Sequence, residues 1–419
     1  MAGFANAARA LGIRNYRLYT AGNAVSLIGS WMQRVAVGWL AWQLTHSTVW
    51  LGLVAVGDLL PTFVLSPLAG VLADRVDRVR LIWLTQVVAM AQAALLALLT
   101  VAGVITVGWL LLLTVALGVV NAFNQPARLA LIPSLVDRDN LGAAVAINSL
   151  VFNGARFLGP AAAGLIIDRG SVGLAFSLNA ASYLAFMAAL ARLRLAPGAA
   201  AAPRAPRRRA LIGDTFAGYA YALRHPGIGR IIALFAVSTL SLRGFVELFP
   251  GFADTVFGRG ANGLAWLTAM LGLGAVVGGA AMLRRPGIQG LSNLVFRHTL
   301  IMAVAALAFV ATRNYWFALA CLFVAGFSLV STGIAAQTLI QNAVDPAMRG
   351  RVLGLYGMLF RGGAAFNALF MGWLSSLIGL RPSIAAGAIL CIAYWTWARL
   401  DRERMTAALE AEAHHAAAE

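Results

Sequence analysis

The feature that most limits what this chain can become is a repeated length. About a dozen apolar runs follow one another with short polar breaks, each close to the ~20 residues a helix needs to cross a bilayer. Their centres fall near residues 31, 59, 90, 114, 156, 182, 240, 272, 302, 326, 364 and 391. Charged residues make up only 11% of the chain, under half the share in an ordinary soluble domain. The alternation of a membrane barrel is absent, so α-helices are the one spanning form left that satisfies every backbone amide. The expected fold is an all-α membrane protein with twelve transmembrane helices. The first run follows Arg9, Arg14 and Arg17 but continues well past a signal peptide's core, so it is expected to remain as the first helix.

Residues 192–228 interrupt the pattern with Pro-Gly, an alanine run and Pro-Arg-Ala-Pro-Arg-Arg-Arg, dividing the spans six and six. The expected organisation is a six-helix bundle over 1–191 and a cytoplasmic linker over 192–228. A second bundle over 229–404 and a flexible cytoplasmic tail over 405–419 complete it. Within the linker, Thr215 to Pro226 is expected to form an amphipathic surface helix. Sliding the second half over the first by 208 aligns Leu131 with Leu339, Ile132 with Ile340, Val136 with Val344 and Asp137 with Asp345. The same offset aligns Gly142 with Gly350, Phe152 with Phe360, Gly154 with Gly362 and Gly164 with Gly372. The halves therefore read as two pseudo-symmetric copies of one unit, an arrangement that transporters use to build a site between repeats.

All 32 basic residues are arginine, because the chain contains no lysine. That excludes a P-loop ATPase, whose lysine reaches the nucleotide phosphates, and any Schiff-base chemistry on this chain. With an even number of spans, the termini and every second loop hold 24 arginines, the opposite loops four, and the helices four. The positive-inside rule places both termini in the cytoplasm, and the formal charge of +17 then suits anionic lipid headgroups rather than nucleic acid. Cys321 and Cys391 fall in spans, so no structural disulfide is expected. His414 and His415 read as part of a solvated tail. No metal or other cofactor is expected.

Six ionisable residues lie inside spans: Arg34, Asp58, Arg156, Arg243, Glu247 and Arg361. Each costs several kcal/mol if it faces lipid, so each should meet a cavity or a partner. Asn23, Ser26, Ser30 and Arg34 recur at helical spacing, as do Asp58, Thr62 and Ser66, at depths compatible with an Arg34 to Asp58 pair. Thr239, Arg243 and Glu247 recur every fourth residue, which lets Arg243 and Glu247 pair within one helix. Arg156 and Arg361, 205 residues apart, fall on equivalent faces of the two halves. Two readings stay open: a substrate and proton pathway in which the arginines receive an anionic group and a carboxylate exchanges protons, or a set of fixed pairs.

The loop after the second span, Gly70-Val-Leu-Ala-Asp-Arg-Val-Asp-Arg-Val-Arg80, resembles the signature loop of the major facilitator superfamily. The resemblance implies a cytoplasmic gate. Gly70 would allow close helix approach, Asp74 would face a helix N-terminus in the other bundle, and Arg75 and Arg78 would pair with carboxylates. Asp77 departs from the family's glycine. The matching loop, Gly278 to Gly287, keeps glycine and arginine but lacks the aspartate. Ala155 to Gly164 is similar to the family's antiporter motif: Gly159, Pro160 and Gly164 supply a place to bend and pack. Asn124 to Pro133, Asn148 to Gly164, the linker helix and Trp31 to Arg34 resemble the enterobactin exporter and macrolide efflux branch, over about Arg14 to Arg399. A second departure is the fourth span, where Thr114, Gly118, Asn121 and Gln125 share a face without charge, so the family's helix 4 arginine has no counterpart there.

The resemblance implies a monomeric plasma-membrane antiporter, in a bacterium an inner-membrane one, whose partners are a small organic substrate, protons and membrane lipids. It would export an amphipathic siderophore-like or drug-like compound by proton-coupled alternating access. The competing readings are a lipid or lysolipid transporter of this fold and a non-transporting scaffold or receptor. An intramembrane enzyme finds no His-Glu-x-x-His and no nucleophile paired with a base.

Overall fold

The computed structural model describes residues 8–73, 76–194, 220–222, 224–285, 287–345 and 348–410. Among these residues there are twelve helices of at least 15 residues and no strand. The first six are α1 (Arg14–Thr45), α2 (Thr48–Ala73), α3 (Arg78–Val101), α4 (Val107–Leu131), α5 (Leu141–Arg169) and α6 (Val172–Ala191). The second six are α7 (Ile228–Leu242), α8 (Gly260–Leu283), α9 (Leu291–Ala311), α10 (Tyr315–Ala343), α11 (Arg349–Ile378) and α12 (Leu380–Ala398). A short α13 (Arg402–Glu410) comes last. Ten of the long helices are apolar and long enough to cross a membrane, with α7 counted together with its continuation to Val256. The other two, α1 and α11, are the ones that carry Arg34 and Arg361.

Polar side chains mark where the spans begin. Asp77 Oδ1 accepts the Arg80 N–H at 2.8 Å, Thr106 Oγ1 accepts from Trp109, Ser171 Oγ from Leu174, and Asn314 Oδ1 from Trp316 and Phe317. Each satisfies a helix N–H that has no partner within its own helix.

The described chain separates into two compact units, one within 1–205 plus 258–269, the other within 206–257 plus 270–419. Inside the first, α1 packs on α5 and α6, α3 on α4 and α6, and α2 on α4. Inside the second, α7 packs on α11 and α12, α9 on α10 and α12, and α8 on α10. The pairings repeat helix for helix. So do their contact points: a Cβ on Gly118 would lie 2.7 Å from the Asp58 carbonyl of α2, and a Cβ on Gly326, 208 residues on, would overlap the Leu271 carbonyl of α8. Gly278, the counterpart of Gly70 at the same offset, presses on the Phe327 carbonyl in the same way. Without side chains at these positions the backbones approach closely, which is how membrane helices gain packing energy where no hydrophobic drive exists.

A relay of amides ties the first unit together. Asn179 Nδ2 on α6 donates to Gln33 Oε1 on α1 at 2.7 Å, Gln33 Nε2 to Gln92 Oε1 on α3 at 3.0 Å, and Gln92 Nε2 to the Leu113 carbonyl of α4 at 3.0 Å. All three side chains are buried. Gly29 lets α6 close on α1 beside them, because a Cβ there would overlap Ser182 and Asn179.

The second unit differs in its first helix. The α-helical winding of α7 stops at Leu242; residues Arg243–Leu248 wind as a 3₁₀ helix, then come one α turn at Phe249–Gly251 and a π turn at Phe252–Val256. Phe245, Phe249, Phe252 and Phe257 pack their rings around Phe309 of α9, anchoring this irregular half.

One expectation about segments changes. Residues 405–410 belong to α13 rather than to a flexible tail: Met405 and Leu409, one turn apart, are 1% and 0% exposed. The Glu410 carboxylate accepts the Gly290 and Ser292 N–H groups at 2.8 and 3.0 Å, capping α9. Residues 411–419, with His414 and His415, lie outside the described residues. Half of the expected linker helix, 215–219 and 223, does too; of the rest, Tyr221 reaches Asp345 (Oη to Oδ2, 3.4 Å), and His225 Nδ1 accepts the Gly227 and Ile228 N–H groups at the start of α7.

Candidate functional site

Arg34 and Asp58 come together. Arg34 Nη1 donates to Asp58 Oδ2 at 2.5 Å, with the side chains 36% and 21% exposed, so the pair is partly sheltered rather than sealed. The position of Asp58 comes from packing, since Gly118 of α4 seats against its carbonyl and Thr62 Oγ1, one turn on, donates to the Gly118 carbonyl at 3.2 Å. The Arg34 guanidinium carbon also lies 5.7 Å from the centre of the Trp31 ring. Arg156 of α5 approaches the same ring at 5.6 Å, and Phe152 meets it edge-on at 6.0 Å. One indole thus stands beside two guanidiniums, each within cation–π range, with the Asp58 carboxylate on Arg34. This cluster offers positive charge and an aromatic face together.

Gly159 explains how α5 comes near enough. A Cβ there would overlap Trp31 Cβ and lie 2.8 Å from the Ile28 carbonyl, so only glycine brings Arg156 to the Trp31 level. Pro160 is buried within an uninterrupted α5, and Gly164 lies against Ala265.

The polar stripe on α1 is turned further into its own bundle than the spacing suggested. Asn23 Oδ1 accepts from Arg128 Nη1 at 2.7 Å, Ser26 Oγ donates to Gln86 at 3.3 Å, and Ser30 lies 3.4 Å from the Tyr183 hydroxyl. Those three side chains serve packing, and Arg34 alone of the four meets a carboxylate. The fourth span also needs correcting: α4 runs on to Leu131, so the face that carries Thr114, Gly118, Asn121 and Gln125 continues to a cation, Arg128. Arg128 rests 4.6 Å over the Phe186 ring, and no carboxylate among the described residues pairs with it.

The pairing expected of Arg243 and Glu247 rested on α-helical spacing. Four residues return to nearly the same face in an α-helix but end about 120° apart in a 3₁₀ helix, and the chain is 3₁₀ here. The Arg243 guanidinium carbon lies 3.6 Å from the centre of the Phe360 ring of α11. Arg361 is in α11 with its side chain outside the described part.

In the loop after α2, Gly70 belongs to α2, while Asp74 and Arg75 lie outside the described residues. Asp77, where the superfamily has glycine, is the N-cap of α3. Arg78, expected to meet a carboxylate, donates to the Ala130 carbonyl at 3.1 Å, at the negative end of α4. Trp31, Phe152, Arg128 and the amides were missed because the spacing of charges alone does not disclose them.

Twelve long helices in two repeated units, with a half-sheltered ion pair inside the first, define a polytopic membrane transporter. The description transmembrane secretion effector fits residues 7–418, and the chain belongs to that family of the major facilitator superfamily. It is a transporter and not an enzyme. It is 24% identical over 371 residues to the staphyloferrin A transporter of Staphylococcus aureus (strain NCTC 8325 / PS 47), covering 87% of this chain and 91% of that one. It is 28% identical over 372 residues to the enterobactin exporter EntS of Escherichia coli O1:K1 / APEC, covering 87% and 85%. In fold it resembles a crystallised POT family transporter in complex with 5-aminolevulinic acid, at a TM-score of 0.73 and 11% identity over 95% of this chain and 97% of that one.

Proposed function

We propose that this protein exports an amphipathic, anionic organic compound of siderophore-like or drug-like character by proton-coupled alternating access. In this reading it works as a monomer in a bacterial inner membrane, with both termini in the cytoplasm and its arginine-rich loops against anionic lipid. The observation that carries the reading is the Arg34–Asp58 pair beside a tryptophan ring that a second guanidinium, Arg156, also approaches. With Asp58 ionised and paired to Arg34, Arg156 and Trp31 would receive the anionic, partly aromatic substrate from the cytoplasm. Protonation of Asp58 from the outside would free Arg34 to compete for the Trp31 ring and displace the substrate to that side, and loss of the proton to the cytoplasm would restore the pair. The relatives' names, a staphyloferrin A transporter and an enterobactin exporter, support a siderophore as the first compound to try.

The test is full-length protein in proteoliposomes under an imposed pH gradient, with enterobactin, staphyloferrin A and a macrolide as candidates. Wild type should move one of them against its gradient. Asp58→Asn and Arg34→Gln should each lower gradient-driven flux by about tenfold or more, equivalent to roughly 1.4 kcal/mol on the barrier, while eluting as folded protein. Variants that keep wild-type flux and pH dependence would remove the pair from the mechanism.

A further inference from the structure

No proline lies between Ile228 and Phe249; Pro250 comes only after the 3₁₀ stretch. The α-helical bond due at the break in α7 would run from the Gly244 N–H to the Leu240 carbonyl, four residues back. A side chain occupies that place: Asn367 of α11 donates through Nδ2 to the Leu240 carbonyl, and its Oδ1 accepts the Gly244 N–H. One amide therefore satisfies both ends of a backbone bond that it separates, as happens when a side chain inserts into a helical ladder. Asn367 is fully buried. Small residues admit it, for a Cβ on Gly244 would lie 2.6 Å from the Ala368 nitrogen, and Gly363, one turn before Asn367, lies against Thr239.

The repeat supplies an internal control. At the offset of 208, Asn367 corresponds to Gly159. Gly159 of α5 presses on α1 at Ile28 and Met32, as Asn367 of α11 presses on α7 at Leu240 and Gly244, one turn further along. Where the residue has no side chain, the partner helix α1 runs unbroken for 32 residues. Where it carries an amide, α7 ends after 15 and the chain turns 3₁₀ at the next residue, Arg243.

We infer that Asn367 is a positioning residue whose amide holds α7 open between Leu240 and Gly244 and thereby aims Arg243 at the Phe360 ring. Six residues wound as 3₁₀ rather than α rotate the chain beyond them by about 120° and lengthen the axis by about 3 Å. Withdrawing the amide lets Gly244 bond to Leu240, returns Arg243 to α geometry and shortens the helix. If the transport reading holds, this is a bend in the second bundle that the matching helix of the first cannot make; the geometry itself does not depend on that reading.

The experiment places spin labels at Ala233 and Thr255, on either side of the break, in full-length protein whose Cys321 and Cys391 have been replaced. Asn367→Ala keeps the Cβ and removes the amide, and Asn367→Gly copies the first half. The expected result is a shortening of the interlabel distance by about 3 Å in both variants. An unchanged distance in a folded variant overturns the inference, because α7 would then be broken for another reason and merely patched by Asn367. Failure of both variants to fold also counts against it, since a helix free to remake its own bond loses no backbone partner. Transport need not be measured, so loss of the proposed activity and loss of this inference are told apart.

Discussion

The amide relay through Asn179, Gln33 and Gln92 makes an energetic prediction that a double-mutant cycle can check. Gln33→Leu replaces a buried amide with a side chain of similar size and removes two hydrogen bonds, one accepted from Asn179 and one donated to Gln92. Hydrogen bonds between membrane helices average about 0.6 kcal/mol in such cycles, so the two bonds together account for about 1.2 kcal/mol. The variant also leaves the Gln92 Oε1 and one Asn179 N–H poorly served. A buried polar group without its partner costs roughly 1–3 kcal/mol, but Asn179 also lies 3.4 Å from the Tyr183 hydroxyl and Gln92 keeps its bond to Leu113. The expected loss for Gln33→Leu is therefore about 2 kcal/mol, within the range of those two terms. Asn179→Leu should cost a similar amount, since it leaves the Gln33 acceptor short of a partner, while the Ser182 hydroxyl keeps its 2.7 Å bond to the residue 179 carbonyl. In the double variant neither end of the Asn179–Gln33 bond remains to be orphaned. Its loss should fall short of the sum of the two by about 1 kcal/mol, above the ~0.5 kcal/mol within which independent sites add. Detergent-driven unfolding in mixed micelles, monitored by circular dichroism, measures all four corners. Additivity would show that the relay carries no shared energy and that the first bundle is held by its glycine contacts alone.

Two further outcomes concern buried groups. Arg128→Met should lower the thermal midpoint, by roughly 1–3 kcal/mol in stability, because it leaves the buried Asn23 Oδ1 without its donor; an unchanged or higher midpoint in a melting assay would show that the Asn23–Arg128 bond contributes nothing net. Ending the chain after Arg404 removes Met405, Leu409 and the Glu410 cap of α9, which should destabilise the second unit by about 2 kcal/mol or more from lost burial and capping, whereas removal of 411–419 should change nothing measurable in the same melt.

The twelve spans and their duplication were legible because hydropathy and length are local properties, and an offset of 208 is read by eye along the chain. The Arg34–Asp58 contact was legible for a related reason: the partners sit on consecutive helices, and each helix keeps its α period between residue and turn. That reasoning carries less far at Arg243 and Glu247, where the winding changes at the first of the two residues. Gly244 and Pro250 are the local signals near Arg243, but the side chain that takes up the Leu240 and Gly244 groups, Asn367, lies far along the chain on another helix. The relay was illegible for that reason too, as Gln33 meets partners 59 and 146 residues away. Arg128 joins the fourth span because α4 passes Pro126 without ending and runs to Leu131.

The two halves share their packing but not the Arg34–Asp58 pair or Arg128, and this separates what builds the fold from what the fold carries. Gly118 and Gly326 stand 208 apart and both admit a neighbouring carbonyl, so the contact between second and fourth helices is common to both units. At the same offset Asp58 corresponds to Trp266, Arg128 to Ala336, Arg34 to Leu242 and Gly159 to Asn367. Glycine contacts repeat because backbone approach has one solution for one helix pairing, and a side chain there would force the pair apart. A charge inside a membrane is costly wherever it falls, so its presence in one half without a counterpart in the other has no source in the repeated packing. The first half combines a straight α1, a satisfied amide relay and one ion pair. The second has a broken α7 with an arginine at the break. Chemistry in this molecule therefore has to be argued charge by charge. A substitution that makes the halves more alike, Asn367→Gly above all, removes a difference that the common fold does not require.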